Sequence, residues 1–356
     1  MSNVVTLRRV HVPTAESVFP DLVDLFVRRR RQRHDPFWLK ENAELVQILA
    51  ANRISNLDLS VFEPIVSGLM AELRFFPQYY RLYLSLAVDL SALGMPNLPL
   101  EEMASFVQHE ELTEVELSDP HRAESRLLLR RAGSHVAADP DLDQRLMQFA
   151  GQSRNFCLPN RRAAYDLTHV VFHASDYGRK VLLKDAAIEQ SLIFAGMIAW
   201  LEDNLDLLSE VVIALCLLGA TPPERWVKTI RKDVGQVTFS SGFEGARFDD
   251  DYHQYLVSNW AVSVLGDRGF ADFVPPSARL IHQDRTKGQA LRDLSMILLE
   301  MGDSRSADWS HMRWRIWGRL PETSRQRLAA IEDMPGFERF FEIFARAGEQ
   351  KYGARS

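Results

Sequence analysis

Cysteine is scarce in this chain: only Cys157 and Cys216 occur in 356 residues, far apart and each beside apolar neighbours. That excludes a disulfide framework, leaves no CxxC pair, and makes a reducing cytoplasm the natural home. Long apolar runs are missing too. The most apolar stretch, Ser191 to Gly219, is broken by Glu202, Asp203, Asp206 and Glu210, so it suits core helices and not a membrane span. The opening MSNVVTLRRVHVPTAESVF has charge but no apolar h-region, unlike a secretory signal. Nor is there a strong excess of one charge: the net value of −6 gives no reason to expect nucleic acid. There is no GxGxxG after a strand, no Walker A loop, no GxSxG elbow and no DDxxD box. Dinucleotide-enzyme, kinase and hydrolase readings therefore lose most of their weight. What is expected is a cytoplasmic protein with neither membrane nor nucleic acid as partner.

What is present is helical period along almost the whole chain. Pro20 to Arg33 reads as an amphipathic helix with Pro20 in its first turn. Ser60 reads as an N-cap with Glu63 completing a capping box. Two apolar helices, Lys184 to Trp200 and Asp206 to Leu218, follow the centre of the chain, with Asp206 capping the second. Gln236 to Phe248 alone has strand character, and its glycines suggest a hairpin or mobile loop. An extended start near Val12-Pro13 and a last helix over Phe337 to Tyr352 complete the outline. The expected fold is all-α, with 14–18 helices in antiparallel pairs forming an α/α array or multi-helix bundle and little or no β. A weak division near the Pro159-Asn160 loop separates residues 1–156 from residues 157–356, with one continuous domain as the alternative.

The most informative segment is Tyr165 to Gly178. As a helix it places Asp166, His169, His173 and Asp176 on one stripe, within roughly 80° of arc, with apolar residues on both sides. Such a stripe points to a semi-buried pocket. His169 and His173, spaced i,i+4, can converge on one ion, with Asp176 or His253 as a further ligand. The pattern is not HExxH, because position 170 is Val; a metalloprotease base is absent. The plainer reading is a structural hydrogen-bond network or a metal-free binding pocket.

Between Asp185 and Glu224 stand seven carboxylates and no Lys, Arg or His. Glu202, Asp206 and Glu210 would share a face in an unbroken helix and repel, so a cation, Arg161, Arg162, Arg179 or solvent must compensate. Glu202 and Asp203 read as a solvated turn, and Glu210 as ordinary helix-start chemistry. Asp249-Asp250-Asp251-Tyr252-His253 leads into a helix carrying Trp260 on the face of His253. The basic run Arg28 to Arg33 reads as cations at a helix C-terminus. The aromatics Phe75, Phe76, Tyr79, Tyr80 and Tyr83, and Trp309, Trp314 and Trp317, read as packing.

Thr168-His169-x-x-Phe172-x-x-x-Asp176-Tyr177-Gly178, Asp206-Leu207-Leu208-Ser209-Glu210 and Tyr252-His253 together resemble a signature of bacterial all-helical families of unknown function. Those families carry TH…(T/S)D(F/Y)G, DLLxE and YH helices; the resemblance covers roughly residues 60–265. It implies that His169, Asp176 and His253 belong to one site, and implies no particular reaction. The functional expectation is a small-molecule pocket lined by His169, His173, Asp176 and His253, serving binding or acid–base or metal-assisted chemistry. A divalent metal on His169, His173 and Asp176 is the cofactor considered. The alternative is a non-catalytic interaction or scaffold protein in which the cluster is a structural network.

Overall fold

A computed structural model describes residues 15–242, 250–283 and 288–347. Expectations touching Val12-Pro13, Phe248, Asp249 and the helix end at Tyr352 fall outside them. The described residues form seventeen α-helices and one two-stranded sheet, so the fold is all-α. The first nine helices are α1 (Ala15–Asp24), α2 (Pro36–Ala51), α3 (Glu63–Val66), α4 (Leu69–Phe75), α5 (Tyr80–Ala92), α6 (Leu100–His109), α7 (Asp119–Arg131), α8 (Pro140–Gly151) and α9 (Arg161–Ala174). Then come α10 (Ala186–Leu201), α11 (Leu205–Leu217), α12 (Glu224–Val234), β1 (Val237–Ser240), α13 (Tyr252–Val264) and β2 (Leu280–Gln283). The C-terminal group is α14 (Ala290–Met301), α15 (Trp309–Trp317), α16 (Glu322–Ala329) and α17 (Phe337–Ala345). No helix among the described residues is long and apolar enough to cross a membrane.

Six helices close a ring. α2 packs on α5, α5 on α7, α7 on α9, α9 on α11, α11 on α13, and α13 returns to α2. Short polar side chains start most of these walls by accepting from orphan backbone N–H groups. Asp35 caps α2, Ser118 caps α7, Asn160 caps α9 and Asn204 caps α11. Asp206 is therefore not the cap it was expected to be. The chain turns at Asp203 (φ 55°) and Asn204 takes that role, which leaves the Asp206 carboxylate for other partners. The same turn breaks the supposed Glu202–Asp206–Glu210 face: Glu202 meets Arg161 at 3.1 Å, and Asp203 pairs with Arg327.

Behind the ring, α10 covers α11, and its Gly196 lets the Trp226 indole of α12 lie against the helix backbone. A Cβ at Gly196 would stand 2.3 Å from a Trp226 ring carbon. In the C-terminal group Trp309 packs edge-on against Phe337 and Phe341, while Trp314 is 70% exposed and outside the packing expected of it. Phe75, Phe76 and Tyr79 are likewise exposed; only Tyr80 and Tyr83 of that set are buried.

Three further expectations change. Pro20 lies inside α1, which begins at Ala15, and a wide π-type turn, Leu25–Arg30, follows. Ser60 caps nothing: it opens a short 3-10 turn, and its own N–H donates to Asp58. β1 makes no local hairpin but pairs antiparallel with β2, Val237 opposite Gln283 and Ser240 opposite Leu280.

The basic run holds the largest departure. Arg30 is 1% exposed and reaches Glu41 of α2 (2.9 Å) and Asp250 just before α13, while Arg31 also meets Glu41. The Arg30 guanidinium lies over the Tyr252 ring, 5.0 Å from its centroid. One cation thus joins both sides of the α2–α13 seam. Replacing it, Arg30→Met, leaves Glu41 and Asp250 buried with a lost partner and is expected to cost about 3–5 kcal/mol in urea unfolding. A loss below about 1 kcal/mol would show that water reaches the seam.

Candidate functional site

Along the axis of the ring runs a cleft of about 190 Å³. Every wall contributes: Glu44 and Gln47 from α2, Arg81 and Ser85 from α5, His121 and Glu124 from α7, His169, Phe172 and His173 from α9, Glu210 from α11, and His253, Val257 and Trp260 from α13. Tyr177, just past α9, closes one end. Phe172 and Trp260 meet at 4.9 Å between ring centroids, and Tyr177 lies 6.1 Å from both, giving an aromatic wall opposite the charged groups.

The 3.6-residue period explains the placement on α9. His169, Phe172 and His173 fall on the inward stripe, whereas Leu167, Val170 and Val171 bury against neighbouring helices. The helix ends in a strained turn, with Asp176 (φ 49°), Tyr177 (φ 52°) and Gly178 (φ 83°) all left-handed. Two consecutive non-glycine residues in that region are held by the surroundings. Tyr177 N–H donates to Phe172 O, and Asp176 faces Arg131 (3.8 Å) and Arg179 (3.6 Å), which both also approach the buried Asp89. The turn thereby swings Tyr177 into the cleft and Asp176 away from it.

At the other end, α11 and α13 bring together Asp206, Glu210 and His253, with one ligand-type atom from each lying within 4.8 Å of the others. His253 Nδ1 donates to Asp206 Oδ1 (2.6 Å), and Tyr165 Oη donates to Asp206 Oδ2 (2.5 Å). Thr168 Oγ1 donates to Glu210 Oε2 (2.5 Å). Glu210 faces two imidazoles: Oε1 is 4.0 Å from His253 Nε2, and Oε2 is 3.8 Å from His169 Nε2.

Burial opposes charge on all of these groups, and neighbours decide the outcome. For His253 the Asp206 carboxylate wins, holding the imidazolium up at about 10. For Asp206, burial is outweighed by His253 and by hydrogen bonds from His253 and Tyr165, so its carboxyl stays below the usual range. Glu210 is fully buried on a helix without a cation of its own. Burial pushes it up to about 8, with His253 lowering it and Asp206 raising it. Burial first, then Arg81, pushes His173 down to about 3; the half-exposed His169 is lowered as well, by burial and then by His173. The centre therefore holds one Asp–His ion pair, one carboxyl whose charged form burial disfavours, and two imidazoles whose protonation burial opposes. It is a donor-rich space short of positive charge.

Of the residues singled out in sequence, His169, His173 and His253 line one cleft. Asp176 stands outside it, supporting the turn, and Asp166 is not among the lining residues. Sequence reasoning passed over Glu210 and Asp206 as site residues, and Glu44, Glu124 and His121 altogether. Glu210 did leave a signal: a carboxylate between Leu207, Leu208 and Val211 with no basic residue within a helical turn.

Gly178 tests the turn. Its φ disfavours an L side chain, and a Cβ there would stand 3.0 Å from Leu217. Gly178→Ala is expected to destabilise by about 1–2 kcal/mol in urea unfolding; an unchanged midpoint would mean that the turn relaxes freely.

No curated protein and no solved structure matches the chain. A family model described as a domain of unknown function (DUF6902) matches residues 1–347.

Proposed function

The chain belongs to this DUF6902 family, whose description names no activity, and from the cleft we propose an enzyme acting on a small molecule with a divalent metal ion at its reactive centre. The observation that carries this reading is the convergence of Asp206, Glu210 and His253 inside a closed helical ring. Bonds of about 2.0–2.2 Å from nitrogen and carboxylate oxygen to a transition metal would span atoms so spaced. The supporting residues are of the kind metal sites use. Tyr165 donates to Asp206 Oδ2 and Thr168 to Glu210 Oε2, which holds both carboxylates in place. Mixed imidazole and carboxylate donors suit zinc, iron or manganese better than calcium.

Three protein ligands leave coordination positions for water and for substrate. The cleft admits a molecule of modest size, with Phe172, Tyr177 and Trp260 providing an apolar face. His169, partly open to the cleft, is placed to hydrogen-bond a bound water or substrate.

The test is metal analysis of the purified protein, before and after dialysis against zinc(II), iron(II) or manganese(II). At least one equivalent should be retained, and Glu210→Gln and His253→Ala should each hold less metal than the parent while keeping the far-UV helical signal. At an ion concentration 100-fold above Kd, the parent should gain about 2.7 kcal/mol of stability that chelation removes. A parent that retains no ion and gains no stability from any of the three metals would sink the proposal.

A further inference from the structure

The metal proposed above uses only one side of Glu210. The other carboxylate oxygen, Oε2, accepts from Thr168 and also faces His169, whose Nε2 is 3.8 Å away; one helical turn further stands His173. The His169 and His173 rings lie 5.9 Å apart, centroid to centroid, on the inward face of α9, the i,i+4 arrangement in which two imidazoles can meet at one ion. His173 is nine-tenths buried, yet its Nδ1 has no hydrogen-bond partner among the described residues. A buried ring nitrogen left unsatisfied is costly, and a bound ion or water is the usual way such a group is satisfied. Among the described residues the His169 ring likewise makes no hydrogen bond, and Glu210 stands at ion-pair distance from it.

The walls repeat the arrangement on either side of Glu210. Beyond His253 stands Glu44, which accepts from Tyr252 Oη (2.8 Å); beyond His169 and His173 stands Glu124, paired with Arg81. Carboxylate and imidazole thus flank a central carboxylate at both ends, each set supplied by different helices. Facing helices that carry such groups inward are a known way for bundles to hold two ions.

We propose that the cleft holds two divalent ions, Glu210 bridging them, one with Asp206 and His253 and a second with His169 and His173. This rests on the reading above and adds to it a second site. It also narrows the chemistry. Two ions a few ångströms apart bind both ends of a reacting group at once, which fits substrates with paired oxygen atoms, such as a carboxylate, a phosphoryl group or dioxygen.

The experiment loads the full chain with manganese(II), removes excess by dialysis, and measures metal per chain together with electron paramagnetic resonance. The parent should hold two ions with an exchange-coupled spectrum. His173→Gln and His169→Gln should each hold one ion with an uncoupled spectrum, and so should His253→Gln, each with an unchanged melting profile in chelator. Glu210→Gln should lose the coupling in every preparation. One ion in the parent, undisturbed by His169→Gln and His173→Gln but lost in His253→Gln, would overturn the second site and leave the single-metal reading intact. No ion in the parent overturns both. Should the glutamine variants fail to fold, adding zinc(II) stepwise to the parent and reading the number of equivalents that raise its melting temperature decides between one site and two.

Discussion

A ring of helices stands or falls by its closing contact, and here that contact is made by buried charge. α2 and α13 meet across Arg30, which holds Glu41 on one side and Asp250 on the other with its charge out of water. Coulombic attraction is strong at such a site, and so is the cost of leaving any member alone. The Tyr252 ring takes the guanidinium on its face while its hydroxyl donates to Glu44 in the cleft. One residue later, His253 enters the cleft. The position of the central imidazole is thus fixed by a charge cluster that itself lies outside the cleft.

Inside the ring the same physics takes the opposite form. The seam has a cation for its anions, whereas in the cleft burial, with Asp206 close by, pushes the Glu210 carboxyl up against the pull of His253. Burial of polar groups without internal balance is tolerated where something else brings the balance. Phe172, Tyr177 and Trp260 pack together and give the cleft an apolar side, and a less polar surrounding strengthens the charges that face it.

Much of the fold was legible. Periodicity located nearly all the helices, and the histidine stripe of α9 followed from residue spacing alone. What escaped depended on partners distant in sequence. Arg30 reads as one of five arginines in a solvated helix end, and only the arrival of Asp250, 220 residues later, buries it. Leu280 to Gln283 is too short to announce a strand, and its mate is β1. Asp206 looked like a cap because acids usually begin helices; Asn204, two residues earlier, had already filled that role. Asp176 sat on the correct stripe, but the left-handed turn at its own position rotates it out of the helical register. Periodicity ends where the helix does.

The ring takes α2, α5 and α7 from before residue 157 and α9, α11 and α13 from after it. During synthesis, at about 5–20 residues per second, α2 would leave the ribosome roughly 10–40 s before α13 can reach it. Through that interval α2 presents an edge without its final neighbour. Glu41, Glu44, Arg30 and Arg31 lie along that edge, and charges resist both collapse and adhesion to other nascent chains. The residues that lock the finished ring are, while it is unfinished, what keeps its open edge hydrated.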